Sequence, residues 1–133
     1  MDQIKTLVNA CWDQVQADWH WLHAHPELSG QEEQTAAYIA NALREMGLTP
    51  TERVGGYGVT AVIEGEKTGK CVGLRADFDA LPLTECTGLS FASQNPGAMH
   101  ACGHDAHTAI LLGAARILCG MRDQFSGSVK LIF

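Results

Sequence analysis

The chain has 133 residues, 46% of them hydrophobic and 18% charged, enough for one soluble domain with a real core. Nine basic residues against fifteen acidic ones leave a net charge of -6, which argues against nucleic acid or an anionic membrane as the main partner. The five cysteines are odd in number and irregularly spaced. They form no disulfide framework and fit a reducing, cytoplasmic setting. The sequence shows no signal peptide and no apolar run long enough to span a membrane.

The first predicted element is an amphipathic helix over residues 4–22. Ile4, Leu7, Val8, Cys11, Trp12, Val15, Trp19 and Leu22 recur at three- and four-residue steps and form its core stripe. Pro26 ends it, because proline disfavours helical geometry at His25. A second helix is predicted over 31–46. Ser29 and Glu32 have the spacing of a capping box. Thr35, Ile39, Leu43 and Met46 make its apolar face, and Gly47 supplies a left-handed stop.

Two strands follow, Val59 to Glu64 and Cys71 to Ala76. The turn-like Glu66-Lys-Thr-Gly69 between them predicts a hairpin. Gly55, Gly56 and Gly58 precede a strand rather than follow one. They read as a flexible entry to the sheet, not a phosphate loop. Residues 83–99 have almost no periodicity, and a loop of that length inside a compact domain is usually functional. A third helix is predicted to begin at Asp105 or Thr108, with Ile110, Leu111, Ala114, Ile117 and Leu118 inward and Gly120 at its end. A turn through Asp123 to Gly127 leads to a final strand, Ser128 to Phe133. Helices alternating with apolar strands indicate an α/β sandwich on a mixed sheet. An apolar strand at the last residue is a rare way for a whole domain to end, so a piece of a longer protein is expected.

The chemistry concentrates in His100-Ala-Cys-Gly-His-Asp-Ala-His107. Three imidazoles, a thiol and a carboxylate lie within eight residues, and all are metal ligands or their usual hydrogen-bond partners. A single histidine before a helix is ordinarily a cap or a surface group, and the coincidence of ligand types lowers the weight of that explanation. A closed structural zinc site normally shows two spaced ligand pairs, and only one dense cluster is present. An open catalytic site is therefore favoured. Asp77 and Asp79 follow a strand, where α/β proteins place their sites. Alone, that pair reads as readily as an Asp-rich turn closing the strand. Beside the histidine loop the two are expected to bind metal or orient a ligand imidazole, with Arg75 holding one of them ionised.

His25-Pro-Glu-Leu28, Arg75-Ala-Asp-Phe-Asp-Ala-Leu-Pro82 and Met99-His-Ala-Cys-Gly-His-Asp-Ala-His107 occur in that order. Together they resemble the start of the metal-dependent amidohydrolases that include hippurate hydrolase, N-acyl-amino-acid amidohydrolases and auxin-conjugate hydrolases. These are relatives of aminoacylase and carboxypeptidase G. The resemblance implies a three-layer α/β sandwich of the zinc exopeptidase type and a site for two divalent ions, zinc or manganese. It implies a small N-acyl amino acid or amide as substrate. By motif position Cys102 and His104 match metal ligands, and Asp79 matches the catalytic aspartate beside the metals. Asp77 stands where wider relatives have a ligand histidine. Asp105, His107 and His100 lie in the motif as supporting residues, and no role follows for His25 or Glu27.

In that family a Glu-Glu segment with the general base comes after the final strand. Later histidine ligands and an inserted domain, which often mediates dimer contacts, follow it. Residues 1–133 are thus expected to be the N-terminal part of the catalytic domain, without the inserted domain or the C-terminal half, and inactive alone. Two other readings stand beside this: a stand-alone metal- or partner-binding module, and a remnant of an interrupted gene.

Overall fold

The computed structural model describes residues 2–133. Its elements in chain order are α1 (Asp2–Ala24), α2 (Glu33–Glu45), β1 (Thr51–Val54), β2 (Gly58–Glu64), β3 (Lys67–Arg75), α3 (His104–Cys119) and β4 (Ser126–Ile132). A single 3-10 turn, Arg122–Gln124, precedes β4. The sheet is mixed, in the order β1-β2-β4-β3.

The β2–β3 hairpin does not form. β4 lies between the two strands, antiparallel to β2 (Ala61 opposite Leu131) and parallel to β3 (Leu74 opposite Leu131). The chain bends at Gly65 and Glu66, but β4 brings Val129 and Leu131 against both apolar strands at once. The hairpin is instead β1–β2, with Val54 paired to Gly58. Gly55 and Gly56, at φ +63° and +118°, form its tight turn rather than a loose entry. β1, with all four residues exposed, gave no apolar signal.

Val59, Ala61, Ile63, Ala76, Leu131 and Phe133 form one core with Ile39, Ala40 and Leu43 of α2 and Leu111, Leu112 and Ala115 of α3. Helices thus cover one face of the sheet and make two layers of the expected sandwich. α1 lies alongside α3 and packs mainly on it. Only its second half is covered, so Ile4, Val8 and Trp12 of the predicted core stripe are exposed.

The capping box is also replaced. Ser29 caps nothing, and Glu32 makes no side-chain cap bond. Glu27 does the work: the amides of Gln34 and Thr35 donate to its two carboxylate oxygens at 3.1 and 2.7 Å, and the Thr35 hydroxyl donates at 2.7 Å. A carboxylate at a helix N-terminus satisfies orphan amides and complements the dipole. The other end of α2 is as expected: Gly47 sits at φ +77°, and the Gly47 and Leu48 amides donate to the carbonyls of Arg44 and Leu43.

Candidate metal centre

β3 ends at Arg75, and the chain then passes through Asp77 and Asp79 at the carboxyl edge of the sheet. A long excursion, 80–103, returns the chain to the same place. It is tied at its neck, where Leu81 and Met99 exchange backbone hydrogen bonds at 2.9 and 3.0 Å. Gly103, at φ +101°, makes the left-handed step that starts α3 at His104, one residue before the earlier expected start.

His104 and His107 occupy the first turn of α3, three residues apart, and so share one face. Nδ1 of His104 donates to the Asp79 carboxylate at 2.8 Å and lies 3.0 Å from the Asp79 carbonyl. Nδ1 of His107 donates to the Asp77 carboxylate at 2.8 Å. In each neutral ring the lone pair is then left on Nε2, the tautomer needed to bind a metal. Nε2 of His104 lies 3.6 Å from Asp77 Oδ2. The Thr108 hydroxyl donates to the Asp77 carbonyl at 2.9 Å, which pins this turn to the end of β3.

The hydrogen bond from His107 holds the Asp77 carboxyl below its ordinary pKa, against a smaller opposing effect of burial. Arg75 is not the main cause, as the sequence suggested. Its guanidinium is 70% exposed, 3.5 Å from Asp77, and screened by water.

One donor atom from each of Asp77, His104 and His107 falls within 4.8 Å of the others. A carboxylate and two tautomer-fixed imidazoles suit a borderline divalent ion such as zinc. Cys102 is exposed and lies outside this group, on the loop just before Gly103. Asp79 backs His104 rather than joining the cluster. His100 is buried, with neither ring nitrogen hydrogen-bonded, and burial lowers its pKa.

Asp105 points away from the cluster. It is 2% exposed and accepts hydrogen bonds from Trp19 Nε1 at 2.9 Å and His23 Nδ1 at 2.6 Å. His23 was missed in the sequence, as was its second partner, Glu85, 3.1 Å from Nε2. The available signal was a polar residue four positions from Trp19 on the buried side of α1. His25 is bound locally, its Nδ1 donating to the Trp21 carbonyl at 2.6 Å and its ring stacked on Trp21.

A mixed sheet, carboxylates at the end of a parallel strand and paired histidines on the first turn of the next helix make an α/β domain with a candidate metal centre at the sheet's carboxyl edge. Residues 73–133 match the model for peptidase family M20/M25/M40. The chain is 46% identical over 132 residues to an N-acyl-L-amino acid amidohydrolase of Geobacillus stearothermophilus, covering 99% of this chain and 36% of that one. It is 45% identical over 114 residues to the hippurate hydrolase of Campylobacter jejuni, covering 86% of this chain and 29% of that one. It superposes on the crystal structure of the Bacillus subtilis YXEP protein, a dinuclear metal-binding peptidase of family M20. The TM-score is 0.89 and the identity 41%, over 94% of this chain and 35% of that one. The chain is thus similar to members of the M20 peptidase family, and it spans about a third of the length of these relatives.

Proposed function

We propose that these residues supply one half of a two-metal amidohydrolase site, which in a longer protein hydrolyses N-acyl amino acids or similar small amides. The observation that carries this reading is the convergence of Asp77, His104 and His107 within 4.8 Å at the end of β3. His104 and Cys102 are its ligands by motif, and Asp77 and His107, grouped with His104, are proposed beside them. Bound divalent ions, zinc or manganese, would lower the pKa of a water and polarise the amide carbonyl.

The chain's own contribution is orientation. Asp79 holds the proton on Nδ1 of His104, which leaves the lone pair of Nε2 free 3.6 Å from Asp77 Oδ2, and Asp77 fixes the ring of His107 through Nδ1. Cys102 would serve as a ligand through its sulfur, in the thiolate form that binds metal. A general-base glutamate, expected beyond Phe133, is the part this chain does not supply, so residues 1–133 bind metal without turnover. The longer enzyme acts in the cytoplasm, as a homodimer through its inserted domain.

The test is calorimetric titration of the purified chain with zinc and with manganese, beside a Cys102→Ala, His104→Ala double variant and an Asp77→Asn variant. Binding weakened at least about tenfold in both variants is expected, as for the loss of a ligand or of its orienting partner. Wild-type affinity in both variants would overturn the ligand assignment. Steady hydrolysis of an N-acyl amino acid by this chain alone would overturn the half-site reading.

A further inference from the structure

We infer that His23, as an imidazolium, clasps the 80–103 excursion to the first turn of α3, and that loss of its proton opens the excursion side of that clasp. The inference goes beyond the proposed hydrolysis and needs no metal.

Both ring nitrogens of His23 face carboxylates: Nδ1 lies 2.6 Å from Asp105 Oδ2 and Nε2 3.1 Å from Glu85 Oε1. A neutral imidazole has one N–H and satisfies only one such partner, whereas an imidazolium satisfies both. The site is dry, His23 being 6% and Asp105 2% exposed. A neutral ring here would set a lone pair against a carboxylate in a medium that screens little.

The remaining groups around His23 do not change that balance. His20 on the same helix is stacked on Phe91 at 3.9 Å, and Phe91 meets the His23 ring edge-on at 5.5 Å. His100, from the ligand loop, is itself kept low by burial. Burial of His23 works against its charge, and the hydrogen bonds it donates to Asp105 and Glu85, with the charges of those carboxylates, outweigh it, so its pKa stands above the ordinary value.

Glu85 is the hub of the excursion. It accepts the Ser93 amide at 2.6 Å and the Thr87 hydroxyl, and next to Ser93 the Gln94 amide donates to the Ala24 carbonyl at 2.8 Å. Asp105 is the neighbour of His104 on α3. One protonated ring therefore joins the excursion, α1 and the helix turn that bears the metal-site histidines. When the proton leaves, the shorter bond to Asp105 keeps the remaining N–H on Nδ1, and Nε2 presents its lone pair to Glu85. The clasp is complete below the raised pKa of His23 and opens as pH rises through it.

Nitrogen NMR of the metal-free 133-residue chain tests this. At neutral pH both His23 nitrogens should carry protons. As pH rises through the His23 titration, protection of the Ser93 and Gln94 amides against exchange, corrected for intrinsic rate, should fall at least about tenfold while Ile39 stays protected. His23→Gln should show the low protection at every pH. Should that variant not fold, Glu85→Gln, which keeps the Asp105 bond, should lower Ser93 protection alike and bring the His23 titration down. A singly protonated His23 at neutral pH, or Ser93 and Gln94 protection constant within twofold across the titration, would overturn the inference. Because metal is absent throughout, failure here leaves the ligand assignment untouched.

Discussion

Asp18 is 1% exposed and holds three partners from three helices. Gln14 on α1 donates to it at 3.1 Å, the Tyr38 hydroxyl on α2 at 2.8 Å and Arg116 on α3 at 2.6 Å. Burial, followed by the bond to Asp18, raises the Tyr38 pKa, so the phenol stays a donor. Removing one partner from a buried charge leaves the other uncompensated, and Arg116→Ala is expected to destabilise the fold by about 3 kcal/mol in urea unfolding. A second residue-level expectation concerns acid. Bonds from the Thr87 hydroxyl and the Ser93 amide, with His23 adding to them, bring Glu85 down to about 2 from the ordinary 4.5. Its folded pKa is depressed, so its stabilisation is full above about 4.5 and drains away as pH falls toward about 2. Urea midpoints followed through that window should drop more steeply for the wild type than for Glu85→Gln, and equal slopes would contradict the assignment.

At the level of elements, α1 and α3 cross closely enough that a Cβ on Gly113 would stand 2.6 Å from Val15 Cγ2. Gly113→Ala should cost about 1–3 kcal/mol by overpacking, and adding Val15→Ala should recover most of it. Gly127 is tighter. At φ +86° its added Cβ would meet the Lys70 carbonyl oxygen at 2.1 Å. Gly127→Ala should therefore lower the thermal midpoint more than Gly113→Ala does, with no rescue by trimming a side chain. These crossings mark where the sequence stopped being readable. The three helices and strands β2, β3 and β4 were legible because their apolar periodicity is local. The carboxylates and histidines of the candidate site stood out because they fall in two short motifs, but the grouping of Asp77 and His107 with His104, and without Cys102, depends on the fold. The β2–β3 hairpin was misread, since the competing partner, β4, lies far along the chain and turn composition says nothing of it. Glu27 as the cap of α2 was missed because the reach from Glu27 to Thr35 is not a capping-box spacing. His23 and Asp18 gain meaning only from Asp105, Glu85 and Arg116, which no local pattern connects to α1.

For the whole molecule, the sheet face opposite α2 and α3 and the β3 edge are the exposed apolar surfaces. Val62 is 41% and Val72 55% exposed, and β3 has no partner strand on its outer side among the described residues. Trp12 and Ile110 add a second patch where α1 meets α3, at 52% and 64% exposed. Open strand edges and contiguous apolar faces drive association. The isolated chain is expected to self-associate with rising concentration in light scattering, and Val72→Lys to reduce this. A monodisperse monomer at all concentrations would show that these surfaces do not suffice.

The place of β4 has one more consequence, for how the chain is made. On the ribosome α1, α2, β1, β2 and β3 emerge first, yet β2 and β3 do not touch each other. Both wait for Ser126–Ile132, which pairs with the two of them. Until then only the small β1–β2 hairpin can close, and a β-hairpin alone is marginally stable. The sheet, and with it the parting of Asp77 and Asp79 toward His107 and His104, is thus assembled in one late step. Translation halted before β4 would yield helices that have a core to bury and no sheet to bury it against.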